Sequence, residues 1–191
     1  MTILCVGKNY AKHADEMGDG RPTEPIWFLK PENSITKHWI DIPEGIGEVH
    51  HEVELAVRIG ASGGVSAFTV ALDMTARDMQ TAAKKAGKPW TQAKGFDTFL
   101  PLGEWIAATG VNLQNLRLRC WVDDELRQDG NTSDMTWSVQ ELLGEAAKWI
   151  TLQPGDILLT GTPEGVGPVK PGQVVRAEIE HHVALEVQAA G

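Results

Sequence analysis

The fold is decided by residues 50–59, which read HHEVELAVRI. From Val53 to Ile59 every second residue is apolar, and side chains two apart share one face of a strand. This spacing predicts a strand, and the glycine-rich segment 60–64 ends it. The continuous apolar run at 68–72 then predicts a buried neighbouring strand.

Short apolar segments separated by Gly and Pro continue in both directions along the chain, as is typical of a β-rich fold. Further strands are predicted at 3–6, 26–29, 116–122, 125–128, 157–160, 174–179 and 183–187. Helices are predicted at 10–17, at 77–86 and after Ser138, where Ser138 and Glu141 have the spacing of a capping box. With about nine strands against two or three helices, the fold class is α+β with strands dominant.

The length of 191 residues predicts a single domain over residues 1–191. The chain has 17 Lys and Arg against 26 Asp and Glu, a net charge of −9, which argues against a nucleic-acid partner or an anionic membrane. No apolar run approaches the roughly 20 residues of a membrane helix. Cys5 and Cys120 stand alone in apolar segments, which predicts reduced, buried thiols and a cytoplasmic protein.

Candidate metal ligands lie next to the two central strands. Glu52 and Glu54 share one face of a strand, and a hard divalent cation between them would relieve their repulsion. Oxygen ligands favour Mg²⁺, Mn²⁺ or Ca²⁺ over zinc. Taken alone, the pattern more often describes the solvated face of an edge strand, since charged side chains usually face solvent. Asp73 ends an apolar run and could line a site, or it could cap the helix that begins near Ala76.

Other polar residues allow two interpretations each. His13 and Glu16 are neighbours on a helix, where Glu could orient His as a general base, or both could lie on an exposed face. Lys94 could reach a bound anion or be an ordinary surface lysine. The segment 160–168 could hold a carboxylate or form only a tight turn. His181 and His182 are predicted to be turn residues, since neighbours on a strand face opposite ways.

Together and in this order, the sequence segments resemble the fumarylacetoacetate hydrolase family, in particular its short acylpyruvase-like branch. The resemblance extends over essentially the whole chain. The segments that carry it are CVGKNYAKH (5–13), FLKP (28–31), HHEVEL (50–55), ALDMTARD (71–78), PWTQAKGFD (89–97), LRQDG (126–130), LQPGD (152–156) and TGTP (160–163).

The resemblance implies a mixed β-sandwich roll of the type found in the C-terminal domain of that family, with a short lid helix within residues 1–20. It also implies a homodimer with one Mg²⁺ or Mn²⁺ per subunit, for which Ca²⁺ can substitute in crystals. Glu52, Glu54 and Asp73 would be the metal ligands. The remaining site residues implied by the resemblance are a water-activating pair, His13 and Glu16, with Arg77, Gln80, Lys94 and Thr160 around the substrate.

The activity that the resemblance implies is metal-dependent hydrolysis of a C–C bond in acylpyruvates such as fumarylpyruvate or acetylpyruvate, giving pyruvate and a carboxylic acid. Lys94 would stabilise the developing oxyanion. The same site would serve decarboxylation or keto–enol tautomerisation of oxaloacetate, or hydration or isomerisation of a 2-oxo dienoate in aromatic catabolism. A module that binds a 2-oxo acid without turning it over is a further alternative.

The chain departs from the family pattern in loop length. The segment 60–68 is shorter than expected, and smaller gaps fall near 36–42 and 107–113. Either the loops are trimmed, or loop residues are missing from the sequence at these points. A true deletion at 60–68 would put the packing behind Asp73 in question, whereas the motif residues themselves are complete.

Overall fold

A computed structural model describes residues 1–18, 20 and 22–191; residue 19 of the predicted lid region lies outside the described residues. The strands within these residues are β1 (Ile3–Gly7), β2 (Ile26–Lys30), β3 (Ile35–Thr36), β4 (Trp39–Asp41), β5 (Val49–His51), β6 (Val53–Ile59), β7 (Val65–Leu72), β8 (Thr75–Ala76), β9 (Leu100–Pro101), β10 (Ile106–Ala107), β11 (Arg117–Val122), β12 (Glu125–Asn131), β13 (Ile157–Leu159), β14 (Gly167–Val169), β15 (Val174–Ile179) and β16 (Val183–Ala190). The helices are α1 (Ala11–Glu16), α2 (Arg77–Lys85), α3 (Thr91–Lys94) and α4 (Val139–Ala146), with two 3₁₀ turns, Glu32–Ser34 and Thr132–Asp134.

All nine strands predicted from the sequence are present, but the prediction missed seven others. The missed strands, β3, β4, β5, β8, β9, β10 and β14, are two or three residues long. Segments this short contain too few residues for an apolar period to register. They form because loops lie beside strand edges, which is a property of the tertiary structure.

The strands form two large mixed sheets and two small ones. The six-stranded sheet has the order β10-β7-β6-β13-β1-β2, and the five-stranded sheet has the order β12-β11-β15-β16-β4. In the first sheet only β1 and β13 pair in parallel, and in the second only β16 and β4 do. The small sheets are β14-β5-β8 and β3-β9.

The two large sheets pack face to face over the main hydrophobic core. Leu55 on β6 and Phe68 on β7 meet side chains such as Leu118 on β11 and Ala177 on β15, all fully buried. The opposite face of the six-stranded sheet is covered as well, by a smaller cluster that includes Ala56 and Leu100. The central strands of this sheet are therefore buried on both faces, which gives β6 an almost continuous run of buried residues.

The β6–β7 hairpin closes through the short turn at 60–64, in which the Gly60 N–H donates to the Gly64 carbonyl at 2.8 Å. Pairing extends from Ile59 and Val65 near the turn to Val53 and Leu72 at the open end. Leu72 and its neighbours are fully buried. The short segment thus leaves the packing behind Asp73 intact.

The predicted helices are present, and α1 and α2 end within one residue of the predicted bounds, whereas α3 was not predicted. Ser138 caps α4, and the reciprocal bonds between Ser138 and Glu141 complete the predicted capping box. Helix α2 begins at Arg77, as predicted. Cys5 and Cys120 are free and buried. No helix among the described residues is both long and apolar enough to cross a bilayer.

Candidate active site

Three carboxylates come together at the open end of the β6–β7 hairpin. Glu52, immediately before β6, and Glu54 are two residues apart and project to the same side. On β7, Ala71 pairs with Glu54, and Asp73 lies two residues further along. The Asp73 N–H donates to the Glu52 carbonyl at 2.8 Å and ties the two strand ends together. One oxygen of each carboxylate lies within 4.8 Å of the others.

Burial decides between the two interpretations of these carboxylates. Glu52, Glu54 and Asp73 are each at most 5% exposed. The solvated-edge interpretation is wrong, because β6 lies between β13 and β7 inside the sheet. Asp73 is not the helix cap either: Ala76 occupies the N-cap of α2, and no side chain caps it.

Three buried cations surround the carboxylates. Lys94 Nζ lies 2.8 Å from Glu52 Oε2 and 2.5 Å from Asp73 Oδ2. Arg77 Nη2 lies 2.5 Å from Glu52 Oε1. Lys30 Nζ lies 2.6 Å from Asp73 Oδ1, and it also donates to the backbone carbonyls of Met74 and Lys94. The surface-lysine interpretation of Lys94 is therefore wrong.

The surrounding charges shift the pKa values of Glu52 and Glu54 in opposite directions. Burial raises the pKa of Glu52, but Lys94 and Arg77 outweigh it and hold that pKa well below its usual range. Burial and the charge of Asp73 raise the pKa of Glu54 well above its ordinary value. Burial lowers the pKa of Lys94, but Asp73 and Glu52 outweigh it, so the pKa of the ammonium rises.

Glu54 is held by the backbone rather than by a cation. The Gly161 N–H donates to Glu54 Oε2 at 2.7 Å. Gly161 has a φ of +90°, and a Cβ there would lie 2.7 Å from the Asn9 side chain. The segment after β13 forms the predicted tight turn, and the carboxylate that it holds is that of Glu54. Both the conformation and the close approach at Gly161 require glycine.

Helix α1 lies against the same turn. His13 Nδ1 and Glu16 Oε2 are 3.2 Å apart, and the Gly165 N–H donates to Glu16 Oε1 at 3.0 Å. Lys12 and Glu164 form a further ion pair between helix and turn at 3.4 Å. His13 is buried, so the alternative of an exposed helix face is wrong for this residue.

A pocket joins α1, the carboxylates and the cations. Its lining includes the predicted site residues His13, Glu52, Glu54, Asp73, Arg77, Gln80 and Lys94. Gln80 accepts from Arg77 Nη1 at 2.7 Å and so holds the guanidinium. Thr160 is fully buried and donates to the Leu55 carbonyl at 2.8 Å, whereas Thr162 lines the pocket.

Two residues at or behind this site, Lys30 and Gln128, were not predicted from the sequence: Lys30 contacts Asp73, and Gln128 binds Thr162. Thr162 lies in the segment 160–168, which was predicted to hold a carboxylate or form a tight turn, and it lines the pocket. Each lies inside a segment that carried the family resemblance, which was the available signal.

The side chains fit a hard divalent cation. The donor set consists only of carboxylate oxygens, which Mg²⁺ and Mn²⁺ prefer. Asp73 Oδ1 is buried without a hydrogen-bond partner; its contact with Lys30 is an ion pair without hydrogen-bond geometry. Among the described residues, Glu54 has no cationic side chain in direct contact. A bound cation would satisfy both groups.

Comparison with known proteins places this arrangement in a family. The family model described as the fumarylacetoacetate (FAA) hydrolase C-terminal domain matches residues 2–189. The chain belongs to the fumarylacetoacetate hydrolase family. The resemblance inferred from the motifs is confirmed, as is the strand-dominated α+β fold with mixed sheets that this family shares.

Relatives in the fumarylacetoacetate hydrolase family carry several activities. The mitochondrial oxaloacetate decarboxylase of Dictyostelium discoideum is 45% identical over 93% of this chain and 88% of the relative. Oxaloacetate tautomerase YcgM of Escherichia coli is 44% identical over 94% of this chain and 89% of the relative. The fumarylpyruvate hydrolase of Pseudomonas aeruginosa, solved with Mn²⁺ and pyruvate, superimposes with a TM-score of 0.94 at 34% identity, covering 100% of this chain and 89% of that one. The chain is thus an enzyme of this family.

Proposed function

We propose that the enzyme catalyses keto–enol tautomerisation of oxaloacetate in a metal-dependent site. The observation that carries the proposal is that His13 and Lys94 line the same pocket as the three carboxylates. Its relatives named oxaloacetate tautomerase include one that is 47% identical over 93% of this chain, and this supports the same reaction.

Glu52, Glu54 and Asp73 would hold a Mg²⁺ or Mn²⁺ ion. When bound, the ion supplies Lewis-acid polarisation of a 2-oxo acid. Arg77, steadied by Gln80, provides a guanidinium that suits a substrate carboxylate. Lys94 contributes a fixed positive charge in a water-poor pocket, where charge that develops on an oxygen is stabilised most strongly.

Tautomerisation moves one proton from C3 of oxaloacetate to the oxygen on C2. The C3–H bond breaks and an O–H bond forms, so one acid–base group that takes the proton and returns it is sufficient. We assign this role to His13, because Glu16 holds its Nδ1 and leaves Nε2 as the ring nitrogen for the substrate. Helix α1 brings His13 to the pocket and is tied to the turn after β13 by the bond from the Gly165 N–H to Glu16.

Acylpyruvate hydrolysis is the second candidate, and a specific observation favours it. The His13–Glu16 pair on α1 has the arrangement of a base that activates water. The structural likeness to a fumarylpyruvate hydrolase supports this alternative. Lys94 would then stabilise the oxyanion that forms at the attacked carbonyl.

The test is turnover by metal-stripped protein, with and without added Mg²⁺ or Mn²⁺. Oxaloacetate, acetylpyruvate and fumarylpyruvate are offered side by side, and enol, pyruvate and acid products are quantified. We expect metal-restored interconversion of the oxaloacetate enol and keto forms. Release of pyruvate from an acylpyruvate at a higher kcat/KM would assign the hydrolase instead, and pyruvate with CO₂ from oxaloacetate would assign the decarboxylase.

We further propose that the protein is a cytoplasmic homodimer. Trp149 and Leu29 are about half exposed beside the edge strand β2, and an apolar surface of this kind suits a subunit contact. The two unpaired thiols suit a reducing compartment. Light scattering after gel filtration measures the mass, and a monomer at micromolar concentration would contradict the dimer.

A further inference from the structure

A buried glutamine lies directly behind the pocket. Gln128 is 1% exposed, although most of its strand, β12, faces solvent. A buried side-chain amide needs hydrogen-bond partners for its oxygen and for both of its N–H groups. The partners of Gln128 belong to the strand that carries the carboxylates and to the turn that lines the pocket.

Two backbone partners fix which way the amide points. Its Oε1 accepts from the Val53 N–H at 3.0 Å, and a backbone N–H can only donate. Its Nε2 donates to the Pro163 carbonyl at 2.9 Å, and a carbonyl can only accept. A flipped amide would lose both bonds. His51 Nδ1 lies 3.0 Å from the same Oε1, which makes Nδ1 the protonated ring nitrogen.

The second N–H of the amide controls a hydroxyl in the pocket. Gln128 Nε2 donates to Thr162 Oγ1 at 2.8 Å, so this hydroxyl is an acceptor toward Gln128 and must direct its own proton elsewhere. Within the described part of the chain no acceptor takes that proton. Thr162 is 2% exposed and lines the pocket that contains Glu54 and His13.

We propose that Gln128 is a positioning residue that commits the Thr162 hydroxyl to donate a hydrogen bond to an oxygen of the bound substrate. Without the amide, the hydroxyl could rotate and donate its hydrogen bond to the Pro163 carbonyl or to a water molecule. The preferred ligand has a carboxylate or carbonyl oxygen at this position. The inference rests on the proposed function only in that a 2-oxo acid occupies the pocket.

A double-mutant cycle tests the coupling between the two side chains. The variants are Gln128→Met, Thr162→Val and the double variant, and the readouts are the Kd of pyruvate at saturating Mn²⁺ and the KM and kcat for oxaloacetate. Each single change should weaken pyruvate binding and raise KM by about 10-fold. If Gln128 acts through Thr162, the Kd of pyruvate in the double variant should be less than about 2-fold higher than in either single variant. Thr162→Ser should retain binding.

Control measurements separate positioning from general structural damage. The Kd of Mn²⁺ alone should be unchanged in Gln128→Met, since the proposal concerns the substrate and not the carboxylates. Thr132→Val removes another buried hydroxyl, the acceptor for the Leu116 N–H, and should lower Tm without changing pyruvate binding. Should Gln128→Met fail to fold, Gln128→Glu keeps the size but cannot donate when ionised, and it should show the same loss.

Additive losses in the cycle, or a fall in Mn²⁺ affinity equal to the fall in pyruvate affinity, would overturn the inference. A different result would refute the proposed function. Wild-type protein that binds pyruvate but does not tautomerise oxaloacetate would refute the function, and the binding cycle would still decide the role of Gln128. Wild-type protein that binds no 2-oxo acid with Mn²⁺ present would overturn both.

Discussion

The ammonium of Lys94 lies 2.8 Å from the carboxylate of Glu52, and both side chains are almost completely buried. Lys94 also contacts Asp73, so it forms ion pairs with two of the three carboxylates that a divalent cation would use. Lysine and cation therefore compete electrostatically for these ligands, and the same lysine is positioned to act on the substrate.

Replacing Lys94 by Met should separate metal affinity from activity. Without the ammonium, two buried carboxylates lose a partner, which should lower the stability of metal-free protein by about 3 kcal/mol. Added Mn²⁺ should restore more stability than in wild type, because the cation no longer competes with Lys94. Turnover should fall by about 10²-fold or more, since the oxyanion partner is lost.

Thermal unfolding in EDTA and in Mn²⁺, with calorimetric titration of Mn²⁺, measures both effects of the Lys94 change. Lys148→Met is the matched control, because Lys148 is exposed and, among the described residues, forms an ion pair with Glu145 alone. Weaker Mn²⁺ binding in the Lys94 variant would contradict the competition.

Replacing Asp73 by Asn should abolish metal binding, and so should Glu52→Ala. Asn removes the charge of a ligand whose Oδ1 has no hydrogen-bond partner in the described structure, so Mn²⁺ affinity should fall at least about 100-fold. Asp156→Asn is the control: Asp156 is also buried, but it binds the Thr2 and Gln153 N–H groups in a turn. That variant should lose stability and keep its metal, as measured by Mn²⁺ titration. Stoichiometric Mn²⁺ retained by Asp73→Asn would exclude the ligand assignment.

Replacing His13 by Ala should lower turnover of every 2-oxo acid that needs acid–base chemistry by about 10²-fold or more. Glu16→Gln should have a smaller effect, because the amide still reaches Nδ1 but provides no charge to the imidazolium. Steady-state kinetics on oxaloacetate and acetylpyruvate measure both. If His13→Ala loses acylpyruvate turnover but tautomerises oxaloacetate at the wild-type rate, His13 activates water. If turnover of both substrates is unchanged, His13 has no part in the mechanism.

The stability of metal-free protein should fall in weak acid because of His51. Burial lowers the pKa of His51 to about 4 from an ordinary 6.5. Because the pKa is lower in the folded protein, the unfolded chain takes up a proton at His51 more readily. The free energy of unfolding is therefore highest above pH 6.5, where His51 is neutral in both states, and it decreases as the pH falls toward 4. The integrated contribution is about 3 kcal/mol.

Urea unfolding in EDTA between pH 7 and pH 4 measures the acid-dependent loss. His51→Asn retains a donor for Gln128 and should show a shallower loss. His181→Asn is the control, because His181 is exposed and adopts a positive φ that Asn tolerates. Equal pH slopes in wild type and His51→Asn would show that another group governs the acid sensitivity.

Local pattern determined most of the fold. The alternation in β6 and the apolar run in β7 set a hairpin, and period two then put Glu54 and Asp73 on one side. The capping box of α4 was likewise readable from Ser138 and Glu141. The short strands were not readable, because they depend on which loop lies beside which edge.

For the candidate site too, some features were determined by the sequence and others by the tertiary structure. The sequence by itself determined which residue types were present and in which order, and so identified the family and the carboxylates. Only the tertiary structure decided that Lys94 and Lys30 are buried counter-charges, and that Thr162 rather than Thr160 lines the pocket. The physical reason is that burial, and with it the strength of every charge contact, arises where segments distant in sequence meet and exclude water.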